Sequence, residues 1–382
     1  MIDQLVERQV AEAPDLDFKA KLPHKDALTV GDLKKDLCAL ANIGGGVIVY
    51  GVAEDDGNKD HAGHRTDVGK IDEGYEQAYL SVAFSQITPP LYGVSLHRVE
   101  DDSHNALVVV VPQSRQVPHM FFTDKKDKKA IAVPVRHGTH SVWLTEPEIA
   151  RLYRERFAAE HDANEKLNAV YQRVMELRSH DGFWMAGVAR PTYPTLAPKP
   201  DMNQIIQIGR DADGEQIRKK YSDAVTPLAA ISRPPRRGFR SWRFLDLMEN
   251  AERSMYIEFH DDGAVSVLSR LDGRYGGPQV HDYDLAKVIG DLFAAIRGYS
   301  TWTGAKEYDA KFGVEWDVNQ QLIITQEQDI EYFREEVVPI KRFLPIEATI
   351  DVSDPEILLQ NARDLTLDCL NQAGINRQTA FN

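Results

Sequence analysis

The 382 residues fit two domains, or one domain with a substantial extension, because a single hydrophobic core seldom grows to this size. With only two cysteines, Cys38 and Cys369, a disulfide framework and a cysteine-rich zinc site are both excluded. The net charge of -14 excludes indiscriminate coating of polyanions, so any contact with nucleic acid must be local.

Signals for membranes and for nucleotide hydrolysis are missing from the sequence. No run of about 18 apolar residues occurs, and polar residues stand where a signal peptide has its basic and apolar segments. We therefore expect a cytoplasmic protein with no membrane partner. The GxxxxGK[ST] pattern is absent as well, which excludes the P-loop nucleotide hydrolases.

The first predicted helix has Thr29 as its N-cap and Asp32 in the place of the capping-box acid. Its apolar stripe consists of Leu33, Leu37, Leu40 and Ala41. Residues 42–46 end the helix, since their glycines allow the positive φ of a tight turn, and residues 47–52 predict a buried strand. Further strands are predicted at residues 107–111 and 131–136.

Another helix is predicted from Thr145, which caps it together with Glu148. A polar stretch at residues 160–166 separates this helix from a second helical segment. The Pro-rich residues 191–200 then predict an irregular loop or linker.

Beyond about residue 180 the chain reads as a separate α+β region. A hairpin is predicted at residues 255–268, where Asp261-Asp262-Gly263 is a turn signal. Helices are predicted at residues 284–297 and 355–373.

Several short motifs in the first 155 residues occur in a fixed order. They are Glu12, Asp17-Phe18-Lys19, Leu37 to Asn42, Gly45-Gly46, Gly51-Val52 and Arg136-His137-Gly138-Thr139. This ordered combination resembles the AlbA_2 domain of the Schlafen family. The resemblance implies an α+β fold for residues 1–158, with a mixed sheet and packed helices. We expect a helical and Pro-rich connector at 159–200 and a second α+β domain at 201–382.

Nuclease members of the Schlafen family use three carboxylates in this domain to bind a divalent metal and cut RNA, notably tRNA. Carried over residue by residue, the resemblance assigns these roles to Glu12, Asp17 and Glu54. The family more often has Glu at the second position and Asp at the third. This chain therefore keeps the negative charges, but the carboxylate oxygens of Asp17 and Glu54 lie at other distances from the backbone than in most of the family. The alternative is that all three are ordinary surface acids among the 59 in the chain.

Lys19 follows Asp17 by two residues, so both side chains are predicted on the same side of an extended strand. Mg²⁺ or Mn²⁺ held by carboxylates can activate a water and neutralise charge on a phosphoryl group. We therefore predict a catalytic site formed by Glu12, Asp17, Lys19 and Glu54. Taken alone, Lys19 is equally well explained as a solvated lysine or a phosphate contact.

Two basic clusters are candidate contacts for a phosphate backbone. The first is a predicted loop with Lys125, Lys126, Lys128 and Lys129, followed by Arg136. The second consists of Arg233, Arg236, Arg237, Arg240 and Arg243, with Phe239 and Trp242 interleaved. We predict nucleic-acid binding by Arg236, Arg237 and Arg240 in this second cluster. The alternatives are a solvated loop for the lysines and pairing with the acidic excess for the arginines.

The sequence leaves more than one function open. The first is a metal-dependent endoribonuclease on structured RNA such as tRNA, in stress or phage defence. The second is a DNA- or RNA-binding regulator or sensor without catalysis, and the third is a small-molecule sensor. Animal Schlafen cores have two related lobes, whereas one copy of the acid-Phe-Lys motif occurs here, so a homodimer is our preferred assembly.

Overall fold

The structure is a computed structural model of the chain, and its description covers residues 2–30, 32–100, 104–125, 128–178, 181–195, 197–215, 217, 227–246, 254–271, 279–316, 319–326, 338–377 and 381. The side chains of residues 124–129 lie outside that description. The chain divides into two compact units, Met1–His161 and Asp162–Asn382. None of the described helices is both long and apolar enough to cross a membrane.

The N-terminal unit is built from short strands and helices. Its strands are β1 Leu16–Lys19, β2 Gly46–Tyr50, β3 Val52–Glu54, β4 Ala62–Arg65, β5 Ser95–Val99, β6 Ala106–Val111, β7 Phe121–Lys125, β8 Lys128–Ala132, β9 Pro134–His137 and β10 His140–Trp143. Its helices are α1 Ile2–Glu7, the 3-10 turn Lys25–Ala27, α2 Leu33–Ala41 and α3 Glu73–Ser85. Helix α4, Glu146–Met175, follows.

A four-stranded mixed sheet of order β1-β2-β6-β5 lies at the centre of this unit. β1 and β2 are parallel, with Asp17 opposite Ile48, and α2 connects them. β6 is antiparallel to both β2 and β5. The apolar stripe of α2 packs with β2, β6 and α3 in one core, and three hairpins, β3–β4, β7–β8 and β9–β10, form separate two-stranded sheets. The predicted mixed sheet with packed helices is confirmed.

Helix α2 ends as the sequence predicts but begins later. It starts at Leu33, and Asp32 occupies the N-cap position without a side-chain hydrogen bond, so Thr29 is not its cap. After the helix, Gly45 has a φ of +99°, and a Cβ atom there would lie 2.6 Å from the carbonyl oxygen of Val111. Only glycine fits this turn, which delivers the chain directly into β2.

Helix α4 is one continuous helix of 30 residues, where we predicted two segments separated by residues 160–166. Its start is as predicted, because the backbone N–H and the hydroxyl of Thr145 both donate to the carboxylate of Glu148 at 2.7 Å. The polar stretch belongs to an exposed part of the helix. An exposed helical segment needs no apolar stripe, so the polar composition of residues 160–166 does not mark the end of a helix.

The C-terminal unit contains a seven-stranded antiparallel sheet. Its strands, with a separate parallel pair, are β11 Trp184–Pro191, β12 Arg236–Gly238, β13 Ser241–Asp246, β14 Met255–His260, β15 Val265–Arg270, β16 Gln279–His281, β17 Glu307–Glu315, β18 Ile323–Thr325 and β19 Ile346–Asp351. Its helical segments are α5 Met202–Gly214, the 3-10 helix Pro227–Ser232, α6 Asp282–Thr303 and α7 Pro355–Asn371. The large sheet has the order β12-β13-β14-β15-β11-β17-β19, and β16 pairs with β18.

One face of the seven-stranded sheet packs against α5, α6 and α7 in the largest core of the protein. The other face carries a smaller core with Leu167 and Tyr171 from the C-terminal half of α4. We predicted a connector at residues 159–200, whereas the structure places β11 between β15 and β17 inside this sheet. The hairpin predicted at 255–268 corresponds to β14 and β15, and both predicted helices are present as α6 and α7.

Candidate functional site

The acid-Phe-Lys motif forms strand β1 and turns its two charged residues to one side. Asp17 is buried, with 2% of its surface exposed, and Lys19 is partly exposed. The Lys19 Nζ atom lies 2.9 Å from Asp17 Oδ2, as the alternation of side chains in a strand predicts. Asp17 Oδ2 is held by this ion pair, and no further hydrogen-bond partner for it is found in the described part of the chain.

Arg136 on β9 is the second cation at this carboxylate. Its Nη1 atom donates to Asp17 Oδ1 at 2.8 Å, and its Nη2 atom lies 3.8 Å from Oε2 of Glu12. Only 8% of Arg136 is exposed. Since Nε and Nη2 have no hydrogen-bond partner among the described residues, this buried guanidinium retains donors for a further acceptor.

Glu12 precedes β1 and is held by the backbone of the motif itself. Its Oε1 atom accepts a hydrogen bond of 2.8 Å from the N–H of Phe18. Burial raises the pKa of Glu12 above its ordinary value, although the Phe18 hydrogen bond opposes that shift. Glu12 and Asp17 are therefore brought together beside Arg136.

Asp36 on α2 completes the charged cluster, although it is not among the site residues predicted from the sequence. Its carboxylate lies 3.9 Å from Lys19 Nζ and 3.8 Å from Lys35 Nζ. Burial raises the pKa of Asp36, against the effect of these two lysines. The available signal was its spacing, because Asp36 lies on the apolar stripe three residues after Leu33 and four before Leu40.

The ammonium group of Lys19 is held charged by this cluster. Burial alone would lower the pKa of Lys19, but the carboxylates of Asp36 and Asp17 outweigh burial and raise it. Lys19 therefore stays cationic throughout the physiological pH range.

Asn42 connects the elements that carry these charges. Its side-chain amide donates to the carbonyl oxygens of His119 at 2.9 Å and Pro134 at 2.8 Å, and its Oδ1 atom accepts from the His119 N–H. Pro134 is the first residue of β9, so the end of α2 is tied to the strand of Arg136. Asn42 is thus a structural residue at the helix end.

All four predicted catalytic residues line one pocket of about 560 Å³. The pocket contains five carboxylates, four cationic side chains and the rim of the β9–β10 hairpin: Glu12, Asp17, Lys19, Lys35, Asp36, Glu54, Lys59, Asp60, Arg136, Thr139, His140, Ser141 and Trp143. Opposite charges nearly balance within it. The pocket can therefore receive an anion at its cations and a cation at its carboxylates.

Glu54 is the exception among the predicted metal ligands. It lies at the end of the short strand β3 and is exposed, whereas Glu12 and Asp17 are enclosed. Within the described ranges, no three His, Cys, Asp or Glu side chains lie close enough together to hold a metal ion. The structure therefore brings Glu54 to the same pocket but does not form the three-carboxylate cluster that we expected.

The predicted lysine cluster lies at the turn of the β7–β8 hairpin. Lys125 ends β7 and Lys128 and Lys129 begin β8, with Lys125 opposite Lys128. Lys126 and the side chains of all four lysines lie outside the described residues. Their predicted contact with nucleic acid remains a prediction.

Some arginines of the cluster in the C-terminal unit form ion pairs with acids of the same unit. Arg237 donates two hydrogen bonds of 2.9 and 2.8 Å to Asp261, and Arg243 donates to Glu258 at 2.8 Å. Arg236 and Arg240 are exposed. The predicted pairing with acids is therefore found for Arg237, while Arg236 and Arg240 remain candidate contacts for phosphate.

Comparison with known protein families finds one match, in the N-terminal unit. Residues 12–145 match the family model described as Schlafen, AlbA_2. The N-terminal unit is a Schlafen AlbA_2-type domain. This match connects the Schlafen AlbA_2-type domain with a nucleic-acid-related function. It does not extend into the C-terminal unit.

Solved structures give weaker similarities. The N-terminal domain of a RecG-related protein from Nitrosomonas europaea is 17% identical, with 37% of this chain and 93% of that chain covered and a TM-score of 0.25. The DIP2311 protein from Corynebacterium diphtheriae is 14% identical, with 41% of this chain and 28% of that chain covered and a TM-score of 0.27. No curated protein matches the chain.

Proposed function

We propose that the N-terminal unit is a divalent-cation-dependent endoribonuclease that acts on structured RNA such as tRNA. One observation carries this proposal: Glu12, Asp17 and Glu54, the acids that the Schlafen resemblance assigns to metal binding, line a single pocket with Lys19 and Arg136. Carboxylates and cations in one pocket are what hydrolysis of a phosphodiester needs, because a water must be activated and phosphoryl charge must be neutralised.

The donor set fits Mg²⁺ or Mn²⁺ bound by few protein ligands. Mg²⁺ usually takes one or two protein carboxylates and completes its shell with waters and substrate phosphates. Asp17 Oδ2 is buried and contacts Lys19 Nζ at 2.9 Å, and Glu12 Oε2, which does not accept the Phe18 N–H, lies 3.8 Å from Arg136 Nη2. Glu12 and Asp17 would hold the cation, with Glu54 at the pocket rim. The bound cation would supply an activated water and charge neutralisation.

The cationic side chains have a separate task in this proposal. Lys19 and Arg136 fix the orientation of the Asp17 carboxylate through contacts of 2.9 and 2.8 Å. Both residues line a pocket in which a phosphate would otherwise be repelled by five carboxylates. The same two residues would therefore position the acids and bind the RNA backbone.

A nucleic-acid-binding regulator without catalysis is the second candidate, and one observation favours it. Both oxygens of Asp17 already contact cations, Arg136 and Lys19, and the described residues contain no three-donor metal group. In this alternative the ion pairs are permanent, and the pocket binds RNA or DNA phosphates through Lys19, Lys35 and Arg136.

Incubation of the protein with total tRNA and Mg²⁺ or Mn²⁺ separates the two candidates. The nuclease proposal expects cleavage that EDTA abolishes and that Asp17→Ala reduces at least about 100-fold. Asp26→Ala is the matched control, because Asp26 is an exposed acid of the same unit outside the pocket, and it should cleave normally. RNA binding without cleavage in the wild-type protein would reject the nuclease and support the regulator.

We also propose a cytoplasmic homodimer that takes part in stress or phage defence. A second copy of the chain would supply the second lobe that animal Schlafen cores contain. Native mass measurement should then give a dimer at micromolar concentration, and a purely monomeric protein would contradict this part of the proposal.

A further inference from the structure

The β9–β10 hairpin places an aromatic ring and the buried guanidinium on one face. In this antiparallel pair Arg136 lies opposite Ser141, and Pro134 lies opposite Trp143. Residues directly opposite each other share a face of the hairpin, as do residues two apart on one strand. Arg136, Ser141 and Trp143 therefore face the same way, and all three line the pocket.

Trp143 is exposed, yet its ring has a fixed support. Its exposed fraction is 52%, and its ring meets the buried Phe121 ring edge to face, with centroids 6.2 Å apart. The other exposed aromatic side chains in the described part of the chain do not line this pocket: Phe84, Tyr92, Phe122, Phe157 and Phe239. Trp143 thus offers one free aromatic surface at the pocket rim.

The buried arginine of the pocket has hydrogen-bond donors that an anion could satisfy. Arg136 is 8% exposed, and neither Nε nor Nη2 has a hydrogen-bond partner among the described residues. Leaving buried donors of a charged group without an acceptor is costly, so an acceptor from a ligand would stabilise the site. A phosphate oxygen is one of the acceptors that arginine binds strongly.

We infer that this pocket binds an unpaired nucleotide, with its phosphate at Arg136 and Lys19 and its base stacked on Trp143. The inference rests on the proposed action on nucleic acid and names the part of the substrate that the pocket selects. A base inside a duplex is stacked on both sides and cannot cover the ring, whereas a base in a loop, bulge or single strand can. Trp143 is therefore a specificity-determining residue for unpaired segments.

Binding of two fluorescent probes tests this inference without relying on cleavage. The probes are a short single-stranded RNA of mixed sequence and the blunt duplex of the same sequence, each measured in Ca²⁺ and checked on a gel for integrity. The wild-type protein should bind the single strand at least about tenfold more tightly. Trp143→Ala should weaken single-strand binding by about 5- to 150-fold, the range for loss of one base-aromatic stack, and leave duplex binding unchanged.

Two further variants keep the test decisive. Trp143→Phe retains a smaller ring and should recover part of the single-strand affinity, whereas Phe84→Ala removes an exposed aromatic ring outside the pocket and should change nothing. Single-strand RNA should also quench tryptophan fluorescence in the wild type more than in Trp143→Phe. Wild-type affinity in Trp143→Ala would overturn this inference alone, while absence of RNA binding by the wild type would overturn the proposed function with it.

Discussion

Two carboxylates, Asp17 in the N-terminal unit and Glu258 in the C-terminal unit, are both buried beside arginines. Glu258 is 0% exposed and lies on β14 opposite Arg243 of β13. Arg243 Nε donates to it at 2.8 Å and Arg173 Nη2 at 3.0 Å. Asp17 has a comparable pair of cations in Arg136 and Lys19. Each cluster therefore includes a buried carboxylate and two cationic side chains.

Hydrogen bonding separates the two clusters. The hydroxyls of Ser241 and Tyr256 also donate to Glu258, so both of its oxygens are satisfied. Burial alone would raise the pKa of Glu258, but His260, Ser241 and Tyr256 hold it well below the usual range. A buried polar network that satisfies its own groups makes a fold specific and rigid. We interpret the Glu258 network as structural.

The Asp17 cluster instead leaves polar atoms unsatisfied next to an open pocket. Asp17 Oδ2, Arg136 Nε and Arg136 Nη2 lack hydrogen-bond partners within the described residues. Such groups are rare in folded proteins and require an explanation. A ligand that supplies both a cation and phosphate oxygens would satisfy all three. Unsatisfied hydrogen bonds, more than buried charge, therefore distinguish the Asp17 cluster from the Glu258 cluster.

Glu258→Gln should cause the greatest change, a loss of stability. This change leaves two guanidinium groups facing a neutral amide, and breaking a buried ion pair in this way costs about 3–5 kcal/mol. Urea unfolding, with hydrogen exchange in β13 and β14 to locate the change, measures the loss. Glu347→Gln is the matched control, since Glu347 is exposed on the same sheet and pairs with Lys311 at 2.8 Å. Its cost should be within about 1 kcal/mol, and equal costs for both variants would contradict the comparison.

A smaller effect is expected from Arg136→Lys, on RNA binding. Lysine keeps the charge but loses the planar set of donors, so it cannot hold Asp17 and a phosphate together. RNA affinity in Ca²⁺ should fall about tenfold, or about 1.4 kcal/mol. The equivalent change in the other cluster, Arg243→Lys, should leave RNA affinity within about twofold. A loss of affinity in Arg243→Lys as large as in Arg136→Lys would mean that the two clusters do not differ in function.

Much of the fold could be predicted because local patterns determine it. The stripe of α2, the glycine turn at Gly45 and the turn at 261–263 are set by neighbouring residues. The parallel pairing of β1 with β2 and the place of β11 inside the large sheet depend on contacts distant in sequence. Strand order is therefore the part of the fold that a single sequence leaves open.

In the candidate site, too, the sequence predicts what local motifs determine and misses what depends on contacts distant in sequence. The family motif identified Glu12, Asp17, Lys19 and Glu54, and the pocket contains all four. The motif could not reveal that Arg136, over 100 residues later, would pair with Asp17, because the position of β9 depends on contacts distant in sequence, such as the one between Asn42 and Pro134. Nor could it show that Glu54 would be exposed, since that depends on the β3–β4 hairpin.

The weakest change that we predict is a pH dependence of stability with opposite sign in the two units. The pKa of Glu12 is raised above 4.5 in the folded state, so its contribution to stability is present below about pH 4.5 and lost as pH rises through the folded value. The pKa of Glu258 is lowered, so its contribution is present above about pH 4.5 and lost as pH falls. Urea unfolding from about pH 3 to pH 7 compares the wild type with Glu12→Gln and Glu258→Gln. Relative to its variant, each carboxylate should change stability in the opposite direction on acidification, and parallel curves would show that Glu12 is as well satisfied as Glu258.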